Sequence, residues 1–356
     1  MSGKKKTILS IVIAILLIAA IIGVGLALRK KNTISTPITN STIGMGTVVV
    51  ESFYCSDTDV SKAAITKSTK IINELDKKRL SWREDGSDVA HINANGSDFV
   101  DSITYNCIKK CLDVSSKCDG IFDVTVGKLS GLWNIGTEDA RVPSDEEIDA
   151  ALPTINFDRI NLSESKGNLK VEIGADQKLD LGAVGKGLAC DVIKEYLVNT
   201  DIIGGTVSVG GSILVYGSNP TSKDKSWNVG VRDPFGNDSD YMAVINCGPC
   251  FISTSGDYEK VLVAPDGKKY HHILNPMTGY PAESNVTGIT IICDSGALSD
   301  ALSTACFILG YGEDSLKLLD EYNANAIFVT KDKKVYITDG IAKSVTITND
   351  SFKVEK

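Results

Sequence analysis

Histidine is scarce in this sequence, and neither a dense cysteine framework nor an internal repeat is present. Only three histidines occur among the 356 residues, which leaves little material for a histidine-based metal site. The nine cysteines are scattered, and their odd number leaves at least one of them unpaired within the chain. A disulfide-stapled scaffold and a repeat architecture are therefore not indicated.

Positive charge is also in short supply once the first 31 residues are set aside. Those residues hold six of the 37 basic side chains and none of the 45 acidic ones, which leaves 31 basic against 45 acidic and a net charge of −14. Nucleic-acid binding needs a basic face that neutralises phosphates. The negative net charge of the remaining residues therefore argues against a nucleic-acid-binding protein. It does not suggest electrostatic binding to a membrane surface either.

The N-terminal segment 7–28 is uncharged and almost wholly apolar, with basic residues on both sides. At about 1.5 Å rise per residue, a helix of this length reaches the roughly 30 Å hydrocarbon thickness of a bilayer. A cleaved signal peptide is the alternative, but it usually has a shorter apolar core and a small-residue cleavage site. We expect an uncleaved anchor at 7–28 after a basic N-terminus at 1–6. The flanking charges leave its orientation open.

Two pairs of cysteines stand at regular spacings. Cys107 and Cys111 recur on the apolar stripe of a predicted helix, where buried thiols behave as small hydrophobic groups. Cys247-Gly-Pro-Cys250 copies the CxxC spacing of redox proteins. That motif needs a helix that opens at its first cysteine, whereas residues 251–253 have the pattern of a strand. A thioredoxin-like redox role is therefore disfavoured.

Beyond the anchor, the patterning predicts a mixture of helices and strands with enough residues for a sizeable core. Polar residues at 32–41 indicate a linker, placed at 29–42, before a domain at 43–350. The predicted helices are 60–79, 99–118, 187–198 and 299–309. The predicted strands are 46–53, 169–173, 206–215, 227–231, 242–245, 286–293, 326–330 and 335–337. Their irregular order favours an α+β fold with a mixed or antiparallel sheet over a doubly wound nucleotide fold.

Residues 179–187 read LDLGAVGKG and lead into the third predicted helix. Glycines let the backbone approach a ligand closely, a helix N-terminus favours an anion, and Lys186 adds a formal positive charge. The loop is not a Walker A motif, which requires glycine where Asp180 stands and Ser or Thr directly after the lysine. It is either a phosphate site or an ordinary tight turn into a helix.

Asp300 and Thr304 lie four residues apart within an otherwise apolar predicted helix, so their oxygens share one face. Two hard oxygen donors without a nearby His or Cys suit Mg²⁺ or Ca²⁺ rather than zinc. The alternative is a capping aspartate and a threonine bonded back to its own helix. From these residues alone that alternative is the commoner arrangement.

Two of the three histidines, His271 and His272, stand side by side before a Pro/Gly turn at 276–279. A histidine pair without a partner at metal-ligand spacing is a weak signal for a metal. A loop histidine can instead exchange a proton with a substrate near neutral pH. The pair is therefore a candidate for acid–base work.

The residues of these motifs and their order along the chain resemble those of the ApbE family of FAD:protein FMN transferases, over residues 45–309 at least. The matching segments are 45–47, 80–83 with Ser87, 119–127, 132–133, 180–187, 209–211, 227–234, 253–258, 272–279 and 300–304. The resemblance implies an ApbE-type, T-fold-like α+β domain with packed helices and mixed or antiparallel sheets. It also implies that FAD is a substrate and Mg²⁺ a cofactor.

The same resemblance implies two groups of site residues. The residues around FAD would be Met45, Trp82, Ile121, Phe122, Asp123, Asp180, Lys186 and Ile273. Trp82 would stack on an aromatic ring system, and Lys186 would meet phosphate charge. Mg²⁺ would be held by the main-chain oxygen of Ala183 and the side chains of Asp300 and Thr304, with phosphate oxygens and waters completing the octahedron.

The implied reaction is phosphoryl-group chemistry. A threonine or serine hydroxyl of an acceptor flavoprotein attacks the FMN-side phosphorus of FAD, and AMP leaves. His272 is the first candidate for acid–base or positioning work, and Asp257 is the second. The implied location is the cell membrane, with a single span and an extracytoplasmic catalytic domain. The apolar helix itself must be the anchor, because no cysteine precedes Cys55 for acylation.

Two alternative functions remain open at this point. The same site could hydrolyse FAD to FMN and AMP, since the metal and the diphosphate are common to both reactions. A non-enzymatic flavin-binding protein is the other alternative. The joint presence of Asp300, Thr304 and Lys186 argues against it, because binding alone does not require a metal on the scissile diphosphate.

Overall fold

The computed structural model describes residues 36–355, in which helices and strands follow one another irregularly. The helices are α1 (Thr58–Leu75), α2 (Asp88–Asn95), α3 (Ser102–Lys117), α4 (Gly127–Trp133), α5 (Asp145–Ala151), α6 (Gly185–Leu197), α7 (Gly296–Leu309) and α8 (Glu313–Glu321). A π-helical turn, Asp76–Leu80, continues α1, and 3₁₀ turns occur at Leu152–Thr154, Phe157–Arg159 and Ala342–Ser344.

The strands are short and lie mostly between these helices. They are β1 (Ile38–Gly44), β2 (Thr47–Tyr54), β3 (Ser97–Val100), β4 (Asn161–Ser165), β5 (Asn168–Glu172), β6 (Gly204–Val209), β7 (Ser212–Gly217), β8 (Trp227–Arg232), β9 (Tyr241–Cys247), β10 (Cys250–Gly256), β11 (Val261–Val263), β12 (Lys269–His271), β13 (Val286–Cys293), β14 (Asn325–Thr330), β15 (Lys334–Ile337), β16 (Val345–Ile347) and β17 (Lys353–Glu355).

One long sheet runs in the order β1-β2-β6-β7-β10-β13-β14-β15-β17, and its pairs are antiparallel except β15 with β17. Smaller sheets are β16-β9-β8, β3-β5-β4 and β11-β12. The predicted α+β class with mixed or antiparallel sheets is therefore confirmed.

The long sheet is sandwiched between a helix layer and the small sheet β16-β9-β8. Side chains of adjacent residues in a strand point to opposite faces, and β10 and β13 show both faces in use. Phe251 and Ile291 pack in the core beneath the helices, whereas Ile252 and Ile292 pack in the core that faces the small sheet. All residues of β13 are buried, so this strand lies at the centre of the body.

Helices α6 and α7 touch through their backbones and cap each other. A Cβ atom at Gly187 would lie 2.0 Å from the carbonyl oxygen of Gly296, so only glycine fits there. Asp191 of α6 accepts hydrogen bonds from the amides of Gly296 and Ala297 at 2.7 and 2.9 Å. Asp300 of α7 accepts one from the Gly187 amide at 2.6 Å. This reciprocal pattern makes the two helices antiparallel.

Most predicted elements agree with the structure to within a few residues, but the predicted strand 206–215 is wrong. It is two strands, β6 and β7, because the chain reverses at Gly210, which has φ +57°. The apolar pattern continues through the turn, since both strands are buried. The predicted helix 99–118 also starts too early. Phe99 belongs to β3, and Asp101 caps α3 by accepting from the amides of Ile103 and Thr104.

The predicted linker 29–42 is too long, because β1 pairs with β2 from Ile38 onward. The polar residues of this segment suit an edge strand, where the Thr39 and Ser52 hydroxyls bond each other at 3.2 Å. Within residues 36–355 no helix is long and apolar enough to cross a bilayer. The predicted N-terminus at 1–6 and anchor at 7–28 lie outside the described residues and stay predictions.

Replacing Gly187 by alanine is expected to destabilise the protein, because the new methyl group would overlap the backbone of α7. Overpacking of this kind costs about 1–3 kcal/mol. Gly131 in α4 is the matched control, since a Cβ atom there meets nothing within 4 Å. Alanine at Gly131 is expected to raise stability by up to about 1 kcal/mol. Urea titration gives both free energies of unfolding, and an unchanged value for Gly187→Ala would contradict the close approach.

Candidate active site

The glycine-rich segment 179–187 forms a tight loop at the N-terminus of α6. Leu179 and Leu181 are fully buried and fix the loop to the core, which leaves Asp180 between them near the surface. The Asp180 carboxylate accepts a hydrogen bond from the Gly182 amide at 2.8 Å. The Asp180 amide donates to the Val124 carbonyl at 2.8 Å. The loop is therefore ordered by its own residues at the start of a helix.

Asp300 is a buried carboxylate, 4% exposed, on the second turn of α7. Its Oδ1 accepts from the hydroxyls of Ser212 and Ser253 at 2.6 Å each, and its Oδ2 accepts from the Gly187 amide. All three donors are neutral, and no ion pair to Asp300 occurs within residues 36–355. A lone pair on Oδ2 and an uncompensated charge remain, which is the situation of a metal ligand.

Ala183 and Thr304 carry two further oxygens without hydrogen-bond partners in the described residues. Because the Gly187 amide bonds to Asp300 rather than to the Ala183 carbonyl, that carbonyl accepts no hydrogen bond in the described part of the chain. The half-buried Thr304 hydroxyl has no hydrogen-bond partner there either, unlike that of Ser303, which donates to the Asp300 carbonyl at 2.9 Å. The alternative in which the threonine hydroxyl bonds back to its own helix is therefore not observed for Thr304.

The three predicted metal ligands stand at related positions of the antiparallel helix pair. The Gly187 amide bonds to Asp300, Ala183 lies four residues before Gly187, and Thr304 lies four residues after Asp300. A carboxylate, a carbonyl and a hydroxyl are hard oxygen donors of the kind that Mg²⁺ prefers, so these residues fit the expected ion. No cluster of three His, Cys, Asp or Glu suited to a metal exists among residues 36–355. Substrate oxygens and water would have to supply the remaining ligands.

Lys186, Lys260 and Arg83 form a group of neighbouring cations at this loop. Partial burial, then the charges of Lys186 and Arg83, lower the pKa of the Lys260 ammonium group. Asp180 acts in the opposite direction on Lys260 and Arg83, as Glu259 does on Lys260. Lys186 forms no ion pair within the described residues. Such an excess of cations at a helix N-terminus favours a polyanionic ligand.

His272 lies next to these cations. The residue is exposed at the molecular surface, although protein atoms lie close around its ring. Desolvation by these atoms, together with the charges of Lys186 and Lys260, lowers the pKa of the imidazole to about 3. The His272 amide donates to the Lys260 carbonyl at 3.1 Å, which ties the two residues together. At neutral pH the imidazole is therefore uncharged and able to accept a proton.

His271 has a different, structural environment. Its Nε2 donates to the Ala282 carbonyl at 3.0 Å, and its Nδ1 accepts from the Ile273 amide at 3.3 Å, an arrangement that suits a neutral ring. The ring packs edge-on against Phe307, with centroids 5.5 Å apart. Burial lowers the pKa of His271. This histidine holds the loop that presents His272.

Asp257 does not form a pair with His272. Its carboxylate accepts from the Thr287 hydroxyl at 2.6 Å, and its amide donates to the Thr287 carbonyl at 3.1 Å. Its charge acts on the ionisation of His271, where it partly offsets the effect of burial. Of the two predicted catalytic residues, Asp257 is therefore fixed to the sheet, whereas His272 lies beside the cations.

The other residues expected around FAD divide into accessible and buried groups. Met45 lies in the β1–β2 turn with φ +50°. Trp82 is half-buried, and the guanidinium carbon of Arg83 stands 3.8 Å from its ring centre. Phe122 and Ile273 belong to the main core and are 3% and 6% exposed. Only the backbone of these two could face a ligand.

Asp123 acts as a positioning group for the loop that carries the half-buried Ile121. Its carboxylate accepts from the amide and hydroxyl of Thr125 at 2.7 Å each and from the Phe157 amide at 2.9 Å. Burial raises the pKa of this carboxyl. A surface recess next to it joins two motifs distant in sequence. It is lined by Asp119, Gly120, Asp123, Ile155, Asn156, Phe157, Pro276 and Met277.

Sequence reasoning missed the residues that support the site from other strands. Ser212 and Ser253 are directly opposite each other in the β7–β10 register, which is how both hydroxyls reach Asp300. Ser253 stands within a motif that the sequence singled out, but no spacing marks it as a partner of Asp300. Lys260 and Arg83 likewise carry no local signal for their meeting with Lys186.

Comparison with known proteins gives one consistent result. The ApbE family model matches residues 45–328. An FAD:protein FMN transferase of Treponema pallidum is 34% identical over 296 residues, which cover 78% of this chain and 80% of that one. The crystal structure of an ApbE protein from Thermotoga maritima has a TM-score of 0.77 at 30% identity, over 87% of this chain and 99% of that one. The flavin transferase ApbE of Vibrio cholerae has a TM-score of 0.73 at 25% identity, over 86% and 99%.

The low pKa of His272 predicts a pH effect on stability. In the unfolded chain the ring titrates near its usual value of about 6.5, so between that pH and about 3 the unfolded state binds more protons than the folded state. The contribution to stability is therefore fully present above about pH 6.5 and falls as the pH is lowered through this window. His272→Gln should lose less stability than the wild type between about pH 7.5 and 4.5. Equal losses in urea titrations would contradict the assignment.

Proposed function

We propose a metal-assisted route of flavin transfer for this chain, which belongs to the ApbE family and is an FAD:protein FMN transferase. The FMN moiety of FAD passes to a threonine or serine hydroxyl of an acceptor flavoprotein, and AMP is released. The observation that carries the route is the buried Asp300 carboxylate, which has no cation partner among residues 36–355. The Ala183 carbonyl and the Thr304 hydroxyl have no hydrogen-bond partner there either.

The metal in this route is Mg²⁺, held by the Ala183 carbonyl, the Asp300 carboxylate and the Thr304 hydroxyl. When bound, it would draw negative charge from the diphosphate and orient it for displacement. The support for this ligand set is the hydrogen bonding of the loop. The Asp300 carboxylate is pinned by Ser212, Ser253 and the Gly187 amide, so its free lone pair is held in one direction.

The diphosphate of FAD binds at the cationic group in this proposal. Lys186 stands in the first turn of α6, where backbone amides and the helix dipole also favour an anion. Lys260 and Arg83 add charge, and Arg83 lies over one face of Trp82. In this proposal a flat ring of the substrate stacks on the exposed part of Trp82. Asp123 positions its loop and need not touch FAD with its carboxylate.

His272 is the proton acceptor in this route. The O–H bond of the acceptor residue breaks as its oxygen forms a bond to the FMN-side phosphorus, and the bond from that phosphorus to the AMP phosphate breaks. The proton passes to the neutral imidazole of His272 and from there to water. Desolvation and the neighbouring ammonium groups keep the resting ring uncharged, and the anionic diphosphate would offset those charges and make the ring a stronger base. Asp257 then acts indirectly, by fixing the strand end next to His271.

The location proposed for this reaction is the outer side of the cell membrane, with segment 7–28 as the anchor. The apolar run supports the anchor. The outer side rests on the family resemblance, because equal numbers of basic residues flank the run on both sides. An acceptor subunit in the same compartment would meet the domain near the membrane surface. Labelling of an engineered cysteine at 32–34 from outside intact cells would test this arrangement, and labelling only after lysis would overturn it.

Two substitutions test the proposed metal ligands. Thr304→Val keeps the side-chain shape and removes a hydroxyl that has no partner in the described residues, so stability should hardly change. The Mg²⁺ concentration for half-maximal transfer should rise on the order of tenfold or more, and Thr304→Ser, the matched control, should stay near wild type. Asp300→Asn should lose several kcal/mol of transition-state stabilisation, or at least about a hundredfold in rate.

The readout for these variants is the intact mass of a co-expressed candidate acceptor flavoprotein, which gains an FMN adduct. Transfer that is unaffected by a chelator and by Asp300→Asn would contradict the metal site. Free FMN formed at the full rate without any acceptor would instead identify an FAD hydrolase. Tight FAD binding without turnover of any kind would identify a flavin-binding protein.

A further inference from the structure

The segment Cys247-Gly248-Pro249-Cys250 joins two different sheets. Cys247 is the last residue of β9 in the small sheet, and Cys250 is the first residue of β10 in the long sheet. Only the exposed Gly248 and Pro249 lie between them. We propose that Cys247 and Cys250 form a reversible disulfide that ties the small sheet to the long sheet at this crossing.

The two thiols already face each other. The ionisation of each thiol depends most on the other, as expected of neighbouring groups. Both side chains pack against the core between the two sheets, where Trp227 is the cross-strand partner of Cys247 and Val215 that of Cys250. A disulfide at this crossing would join side chains that already share one core.

The other seven cysteines lack this combination of access and a partner. All nine lie within the described residues, and none is in a disulfide in this structure. Buried positions hold Cys107, Cys111, Cys118, Cys190, Cys293 and Cys306. Cys55 is partly accessible, but its thiol donates to the Asp201 carbonyl at 3.3 Å. An oxidant in solution therefore meets an accessible pair of thiols only at the sheet crossing.

The pair is chemically asymmetric, although it is not a thioredoxin-like motif. No helix opens at Cys247, so the activation by a helix N-terminus that the CxxC motif uses elsewhere is absent here. Instead, the neighbouring Cys250 lowers the pKa of Cys247, whereas Cys247 raises the pKa of Cys250. The proposal accordingly assigns the attack to Cys247 and the resolving step to Cys250.

The oxidant is a disulfide, and the reaction is thiol–disulfide exchange. The Cys247 thiolate attacks one sulfur of the oxidant, releases the first thiol and forms a mixed disulfide. Cys250 then gives its proton to water and attacks the Cys247 sulfur, which releases the second thiol. Two protein thiols are oxidised, and one oxidant disulfide is reduced to two thiols. The closed loop contains only four residues, so the bond stabilises the fold less than a disulfide that closes a long loop.

The test is a redox titration of the full-length folded chain in detergent with mixtures of oxidised and reduced glutathione. Samples are quenched in acid, alkylated, digested and analysed by mass spectrometry. The expected product is a peptide in which Cys247 and Cys250 are linked, with the other cysteines still alkylated. Cys55→Ser, the matched control, should give the same product. Alkylation of both thiols throughout the titration, or a link from Cys250 to Cys293, would overturn the proposal.

Trapping and stability measurements make the test independent of that single product. In Cys250→Ser, glutathione should remain attached to Cys247, whereas Cys247→Ser should bind much less of it at Cys250. The wild type should show a higher midpoint of thermal unfolding when oxidised than when reduced, and the double serine variant should show no difference. Equal glutathione attachment in the two single variants, or no shift in the wild type, would refute the assignment.

Discussion

The backbone contact between α6 and α7 is the constraint on which the site depends. Two glycines allow the helices to approach at Gly187 and Gly296, and each helix then supplies an aspartate to the N-terminus of the other. The contact fixes the direction of Lys186, the free carbonyl of Ala183 and the turn of α7 that carries Thr304. A larger side chain at either glycine would separate all of these groups at once.

In the proposed route the Asp300 carboxylate combines a structural and a chemical role, because its hydrogen-bond partners are neutral. Three hydrogen bonds compensate for the loss of water around the carboxylate, yet they leave its charge in place. The opposite charge is gathered across the loop, on Lys186, Lys260 and Arg83. Such a separation of charge can bind a cation at the Asp300 carboxylate and a polyanion at the three basic side chains. Desolvation and the charges of Lys186 and Lys260 together keep His272 neutral.

The sequence predicted those features that depend on neighbouring residues. The glycine loop, the helices around Lys186 and Asp300, and the α+β class follow from local patterns, and the ApbE resemblance joined Ala183 to Asp300 and Thr304. The hydrogen-bond partners of Asp300 could not be predicted from the sequence, because Ser212 and Ser253 are brought together by strand pairing. The turn at Gly210 was hidden by apolar residues on both sides of it. β1 was mistaken for a linker because an edge strand needs few apolar residues.

The alternation of side chains along β10 links the chemistry of the site to the packing of the whole body. Ser253 reaches Asp300 on the helix side, and the preceding Ile252 fills the core on the other side. A shift of one residue in this strand would turn a serine into the apolar core and an isoleucine toward the buried carboxylate. Insertions are therefore tolerable in the exposed loops at 219–225 and 236–240 but not between Cys250 and Asp257. Across evolution, the length of this strand should vary less than the identity of its residues.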